Sequence, residues 1–349
     1  MKLHFYSVSL CVKKLLYSLI LPLSFLLIAG CSSHPPQYTV INGDTQGTTY
    51  HIVAEESRDI DASRLRGEIE ALLTEIDNSL SVYNESSVIS LINRNMSDMT
   101  DTLFRDVFRT SAQVWEESGG LFDITVGPLV KSWGFGPDTI KRFDETMRDS
   151  LLALVGMQKV KLEGERLVKS DPDMFIDMNA IAQGYTVDLI IKLLAGMGID
   201  DCLVEVGGEV RTAGDKGGQG WRIGIDRPAD GNYEPGADLK AIVRLDGLSL
   251  ATSGNYRKFF IDNGIKYSHT IDPRTGRPVR HTLLSATIVA PTGAVADAWA
   301  TACMVAGKDE AVSFIERHDS LEGYLIWSDE KGEMRSWISE GLRQRIEEN

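Results

Sequence analysis

Apolar residues recur at intervals of three and four at Leu65, Ile69, Leu72, Ile76 and Leu80, which places them on one face of an amphipathic helix. The same period runs through 103–117, where Gly119-Gly120 stops it, and predicts a third helix over about 139–154. A short strand ending in Phe175-Ile176-Asp177 passes into a fourth helix near Asn179. That helix carries Ile181, Tyr185, Leu189 and Leu193 on one face and ends at Gly196 or Gly198. Two more helices are expected at 294–306 and 310–317. Alternation replaces this period elsewhere. Residues 39–54 read as paired strands around an Asn42-Gly43-Asp44 turn. From Leu203 strands follow at 203–206, 221–225, 240–244, 248–251 and 286–290, and a hairpin of 324–327 with 334–337 closes the chain. No repeat or break in composition divides the pattern. The expected fold is α+β, a single large domain with a mainly antiparallel sheet core flanked by helices.

The first thirty residues follow a different logic. Lys2, Lys13 and Lys14 precede an apolar run over 15–27 that Tyr17, Pro22 and two serines interrupt, too short and broken for a membrane span of about 20 residues. Small residues, Ala29 and Gly30, then lead to Cys31. A basic start, an apolar middle and this ending constitute a bacterial lipoprotein export signal, with cleavage before Cys31 and a diacylglycerol on its thiol. Residues 1–30 are then the cleaved signal peptide, 31–40 the lipidated cysteine and its tether, and 41–349 the functional domain. The expected location is outside the cytoplasm, anchored to the membrane and facing the periplasm. Ser32 and Ser33 carry no acidic retention signal, which favours the outer membrane.

Charge narrows the partners. The chain carries 36 Lys and Arg against 50 Asp and Glu, so binding to nucleic acid through a basic surface is not expected. A polyanionic ligand would need a local counter-charge such as a metal ion. Cys202 and Cys303, the two cysteines beyond the signal and the lipidation site, sit in apolar surroundings and read as small buried hydrophobes, with a disulfide between them left open. No Cys-x-x-Cys or His-x-x-x-His pair suggests zinc.

Four segments carry candidate chemistry. In the alanine-rich stretch 294–307 the hard oxygen side chains are Asp297 and Thr301, four apart and on one helical face, where they could offer two oxygens to Mg²⁺ or form only a polar stripe. In Asp177-Met178-Asn179-Ala180-Ile181-Ala182-Gln183-Gly184, an acidic residue and an asparagine stand at a helix entrance, suited to capping it or to holding an anion on exposed N–H groups. The segment 267–278 brings His269, Arg274 and Arg277 around the turn chemistry of Asp272-Pro273 and Thr275-Gly276. Residues 251–257 offer hydroxyls and backbone that could wrap a phosphate.

Read in order, these segments resemble the FAD:protein FMN transferase (ApbE) family over nearly the whole chain after Cys31. The resemblance rests on Gly47-Thr48-Thr49-Tyr50, Leu80-Ser81-Val82-Tyr83 with 90–93, Ser118-Gly119-Gly120-Leu121-Phe122-Asp123 through Pro128, Asp177 to Gly184, Thr252-Ser253-Gly254-Asn255-Tyr256, His269-Thr270-Ile271-Asp272-Pro273-Arg274-Thr275-Gly276, and Asp297 to Thr301. It implies an enzyme that binds FAD and Mg²⁺, cleaves the pyrophosphate, and passes FMN to a Thr or Ser hydroxyl of an acceptor protein with release of AMP. The implied metal ligands are the side chains of Asp297 and Thr301 and the carbonyl of Ala180. The implied flavin contacts are Gln46, Tyr83, Leu121, Phe122, Asp123, Asp177, Gln183 and Ile271, with Gln46 standing where methionine is common and Leu121 where alanine is common. His269 is the first candidate for the base that deprotonates the acceptor hydroxyl, and Asp177 the second. The implied acceptors are flavin-carrying subunits of membrane redox complexes. Hydrolysis of FAD to FMN and AMP, or flavin binding without catalysis, is compatible with the same residues.

Overall fold

Eight strands form a central sheet whose order in space follows their order in the chain: β1 (Tyr38–Thr45), β2 (Thr48–Glu55), β3 (Cys202–Val206), β4 (Glu209–Ala213), β5 (Ser249–Gly254), β6 (Leu283–Ala290), β7 (Glu322–Ser328) and β8 (Met334–Ile338). Every neighbouring pair is antiparallel. The helices of the described residues are α1 (Ala62–Leu80), α2 (Val88–Asn93), α3 (Thr102–Glu117), α4 (Gly127–Ser132), α5 (Glu145–Leu152), α6 (Ala182–Gly196), α7 (Gly293–Ala306) and α8 (Lys308–Arg317). This computed structural model describes residues 36–56, 61–134, 144–229, 232, 236–255, 259–262, 265–268 and 270–349. Gln37–Asn349 form one compact unit. Cys31 and His269 lie outside the described residues.

Alternation along the central strands decides which layer each side chain joins. Ala251, Ile288 and Leu325 point into a core shared with α3, α7 and α8. Their neighbours Leu250, Val289, Tyr324 and Ile326 point the other way, onto a small sheet of Trp221–Asp226, Leu239–Leu245 and Ile346–Glu348. The middle of the sheet is therefore buried on both faces. Helix α7 lies on the first face, and its small residues follow from its position. It packs against β5, β6, α3, α6 and α8, and a helix enclosed on several sides cannot carry a charged outer face. Among the described residues no helix is long and apolar enough to cross a membrane.

The expected α+β class and antiparallel sheet are observed, with local differences. The first hairpin turns at Gln46-Gly47, not at Asn42-Gly43-Asp44: Thr45 pairs with Thr48, and Gln46 and Gly47 have φ of 50° and 73°. Two successive residues in the left-handed region match the twist of a two-residue hairpin turn. Gly43 stays within β1 because the Tyr50 ring lies over it, 2.5 Å from where a Cβ would stand. The expected strand ending at Asp177 is absent. That segment is irregular, its Ile176 N–H and C=O both taken by the Asn93 amide at 2.7 and 2.8 Å. A side chain has replaced the strand partner. In α1, Leu73 is buried and Leu72 only half-buried, a shift of one position on the same face. The helix expected over 139–154 is Glu145–Leu152, and residues 135–143 lie outside the described residues.

Candidate functional site

Helices α6 and α7 cross at two glycines. A Cβ on Gly184 would stand 2.2 Å from the carbonyl oxygen of Gly293, and one on Gly293 would stand 2.2 Å from that of Gly184. Only residues without a side chain allow the two backbones to meet this closely. The approach brings Asp297, one turn along α7, to the start of α6, where its Oδ2 accepts the Gly184 N–H at 3.1 Å. Helix α6 has Ile181 at its N-cap, which offers no side-chain acceptor, so a carboxylate from 113 residues away does the capping. Neither Asn179 nor Asp177 caps this helix. Asn179 is exposed, and its N–H goes back to Asp177 Oδ1 at 2.9 Å.

This arrangement leaves oxygens for a cation. Asp297 is 6% exposed, its Oδ1 receives no hydrogen bond among the described residues, and burial pushes its pKa up to about 7. A carboxylate so placed is stabilised by binding a proton or a metal ion. The Gly184 N–H would close onto the Ala180 carbonyl if the helix began one turn earlier. Turned instead to Asp297, it leaves that carbonyl without a backbone donor among the described residues. Thr301, one turn beyond Asp297, is half-buried with its Oγ1 3.4 Å from Ser253 Oγ on β5. One carboxylate, one hydroxyl and one carbonyl suit Mg²⁺, which keeps several waters and takes further oxygens from phosphates. Among the described residues no group of three or more His, Cys, Asp or Glu forms a metal cluster; the candidate set needs only one carboxylate.

The expected flavin contacts fall into three environments. Gln46 meets the first turns of α6, where Gln183 lies: Gln46 Nε2 donates to Thr186 Oγ1 at 2.7 Å while its Oε1 is buried and receives no hydrogen bond among the described residues, and Gln183 lies where a Cβ on Gly207 would touch it at 2.7 Å. Tyr83 is an exposed aromatic, 73% accessible, on a turn that Ser87 and Ser90 hold through the Ser81 carbonyl. Leu121, Phe122 and Ile271 are buried in the cores. Asp123 is also buried. Its Oδ1 accepts from Thr125 N–H and Oγ1–H at 2.8 and 2.6 Å, and its Oδ2 from Met157 N–H at 3.1 Å, so its side chain ties two loops together. Asp177 is half-buried, and burial raises its pKa. Its N–H bonds to Ile124 O at 2.7 Å, and it packs against Gly127, where a Cβ would meet its own at 3.1 Å.

Farther along α7, a cavity of about 420 Å³ opens between its last residues and the turn after Ile271, lined by Trp133, Arg274, Arg277, Arg280 and His281 among others. Arg274 pairs with Asp272 and Arg277 with Glu145, so the turn chemistry expected at 272–276 is present and its arginines have partners. Cys202 and Cys303 are both free and fully buried in different cores, which answers the disulfide question.

Residues that sequence reasoning missed are Gly184 and Gly293 as a crossing point, and Asp188 with Arg211. Asp188 Oδ1 accepts Gly293 N–H at 2.7 Å and Oδ2 accepts Ala294 N–H at 3.0 Å, and Arg211 on β4 pairs with it. The signal in the sequence was a Gly-x-x-x-Asp pattern at both 184–188 and 293–297.

Solved structures of flavin transferases share this fold. The flavin transferase ApbE from Vibrio cholerae superposes with a TM-score of 0.80 at 30% identity, over 89% of this chain and 100% of that one. The apo flavinyl transferase ApbE of Pseudomonas stutzeri gives 0.80 at 31% identity, over 90% and 98%. By sequence, a Vibrio cholerae FAD:protein FMN transferase is 35% identical over 84% of this chain and 88% of its own length, and that of Escherichia coli K12 is 33% identical over 88% and 89%. The ApbE family profile matches residues 46–325, and the chain belongs to the ApbE family.

Proposed function

We propose that this protein transfers FMN from FAD to a Thr or Ser hydroxyl of an acceptor flavoprotein, forming a phosphoester bond and releasing AMP, with Mg²⁺ as cofactor. The observation that carries the reading is Asp297: a buried carboxylate with one oxygen engaged by Gly184 and the other receiving no hydrogen bond among the described residues, beside Thr301. Asp297, Thr301 and the Ala180 carbonyl would hold the ion. When bound, it neutralises pyrophosphate charge and stabilises the departing phosphate.

The chain's own groups do the remaining work. Tyr83 offers an exposed ring for stacking on the isoalloxazine. Gln46, held by its Nε2 bond to Thr186, and the Gln183 amide beside the tight turn at Gly207 are polar groups for the flavin. Asp177 is held against α4 by its backbone bond to Ile124. The acceptor oxygen forms a bond to the FMN phosphorus as the bond to the AMP oxygen breaks. His269 takes the hydroxyl proton, and Asp177, whose pKa burial raises, is the competing base.

The lipid on Cys31 would keep the enzyme at the periplasmic face of the membrane, the outer membrane preferred, beside acceptor subunits of membrane redox complexes, and so raise its effective concentration there. Loss of fatty-acid labelling in Cys31→Ala tests that placement. For the reaction, the purified protein is incubated with FAD, Mg²⁺ and an acceptor domain carrying the target threonine, and the acceptor is weighed by mass spectrometry. An FMN adduct with stoichiometric AMP is expected. FMN release without adduct would identify a hydrolase, and an undiminished adduct with Asp297→Ala would overturn the metal assignment.

A further inference from the structure

The two helices that meet at Gly184 and Gly293 are related by a local exchange. In each, an aspartate lies four residues after the glycine, Asp188 on α6 and Asp297 on α7, and each aspartate accepts the N–H of the other helix's glycine. Asp188 takes Gly293 N–H at 2.7 Å and Ala294 N–H at 3.0 Å, while Thr292 Oγ1 takes Val295 N–H at 3.4 Å, so the first turn of α7 is fully capped. Asp297 takes one N–H, that of Gly184. The counter-charges break the symmetry. Arg211, projecting from β4, pairs with Asp188, whose side chain is 13% exposed; no basic group pairs with Asp297 among the described residues.

We infer that Asp188 is a positioning residue for the cation site: clamped by Arg211, it fixes the amino end of α7 so that Asp297 and Thr301 face the ion, and Arg211 prevents Asp188 from drawing the ion to itself. The inference rests on the Mg²⁺ reading above. A buried and a half-buried carboxylate stand in near-equivalent places, and the arginine decides which of them is left for a metal. Groups of this kind that orient ligands without touching the ion typically affect metal affinity by about 10–100-fold when changed.

The test uses the full-length protein, stripped of metal and titrated with Mg²⁺ alone, with thermal unfolding as one readout and flavinylation as the other. Asp188→Asn can still accept one N–H but loses the ion pair. It is expected to raise the half-saturating Mg²⁺ in both readouts by about tenfold or more, with turnover restored at high Mg²⁺. Arg211→Gln should do the same and Arg211→Lys should largely rescue it, which keeps the test open if Asp188→Asn fails to fold. A lowered Tm with unchanged half-saturating Mg²⁺ in these variants would reduce Asp188 to a structural cap and overturn the inference. If the parent protein shows no Mg²⁺ response in either readout, the Mg²⁺ reading itself fails.

Discussion

Gly184 and Gly293 touch backbone to backbone, and a Cβ on either would lie 2.2 Å from the facing carbonyl oxygen. Since no rotamer change can move a carbonyl in a helix, an added methyl must push the helices apart. Gly184→Ala and Gly293→Ala should each destabilise the fold by about 1–3 kcal/mol, seen as a lower denaturation midpoint, and weaken Mg²⁺ binding because Asp297 withdraws from Gly184. A variant with wild-type midpoint and Mg²⁺ affinity would show that the crossing tolerates a wider separation.

Asp297→Asn keeps an oxygen that can accept the Gly184 N–H and removes the charge. It should therefore fold, with a midpoint near that of the parent, and lose Mg²⁺-dependent flavinylation. A bound ion supplies several kcal/mol of transition-state stabilisation, so initial rates should fall by at least about 10³-fold. Thr301→Val, which removes the proposed neutral ligand, should cost less and be partly restored by added Mg²⁺.

Burial raises the pKa of Asp297 to about 7, against ~3.9 for a solvated aspartate. In the metal-free protein the folded chain thus holds a proton that the unfolded chain has released between about pH 4 and 7. This contribution to stability is complete below about pH 4 and is lost as pH rises through 7. Mg²⁺ bound as proposed would need the ionised carboxylate and so displace that proton. Half-saturating Mg²⁺ should increase about tenfold for each unit that pH falls below 7, and level off above it. Mg²⁺ titrations of the parent followed by thermal unfolding at several pH values will measure the slope, and Asp297→Asn should show no Mg²⁺-induced shift at any of them.

Tyr83 is 73% exposed, so its loss leaves no hole in the core. Tyr83→Ala should leave the unfolding midpoint unchanged and raise KM for FAD by about 2–13-fold, the range set by a stacking contact of ~0.5–1.5 kcal/mol. Tyr83→Phe should retain most of the affinity. Equal KM values for all three proteins would remove Tyr83 from the flavin site.

Cys202 and Cys303 are free and fully buried, and burial raises both thiol pKa values, that of Cys202 to about 12. Neither should react with a thiol reagent in the native state, and oxidants should not join them. Two equivalents should react after unfolding of a chain that begins beyond Cys31. Rapid native labelling would contradict the packing described.

By itself the sequence determined what depends on neighbours within one element. Period three to four set α1, α3 and α6, alternation set the strands of the sheet other than β4, which was not expected, and the i,i+4 spacing put Asp297 and Thr301 on one face. Turn positions were less legible, since Asn42-Gly43 has the composition of a hairpin turn and lost to Gln46-Gly47 once the Tyr50 ring covered Gly43. The irregular course at Asp177 was also hidden, because the Asn93 side chain that replaces a strand partner comes from 83 residues away. The meeting of Gly184 with Gly293, the capping of α6 by Asp297 and the Arg211 clamp on Asp188 were decided only in three dimensions. The Gly-x-x-x-Asp pattern is written twice in the chain, but a pattern within one helix does not name the helix it will meet. That choice falls to the packing of whole elements around a shared core, where backbone approach is limited by the smallest side chain present and buried charge by the partners within reach.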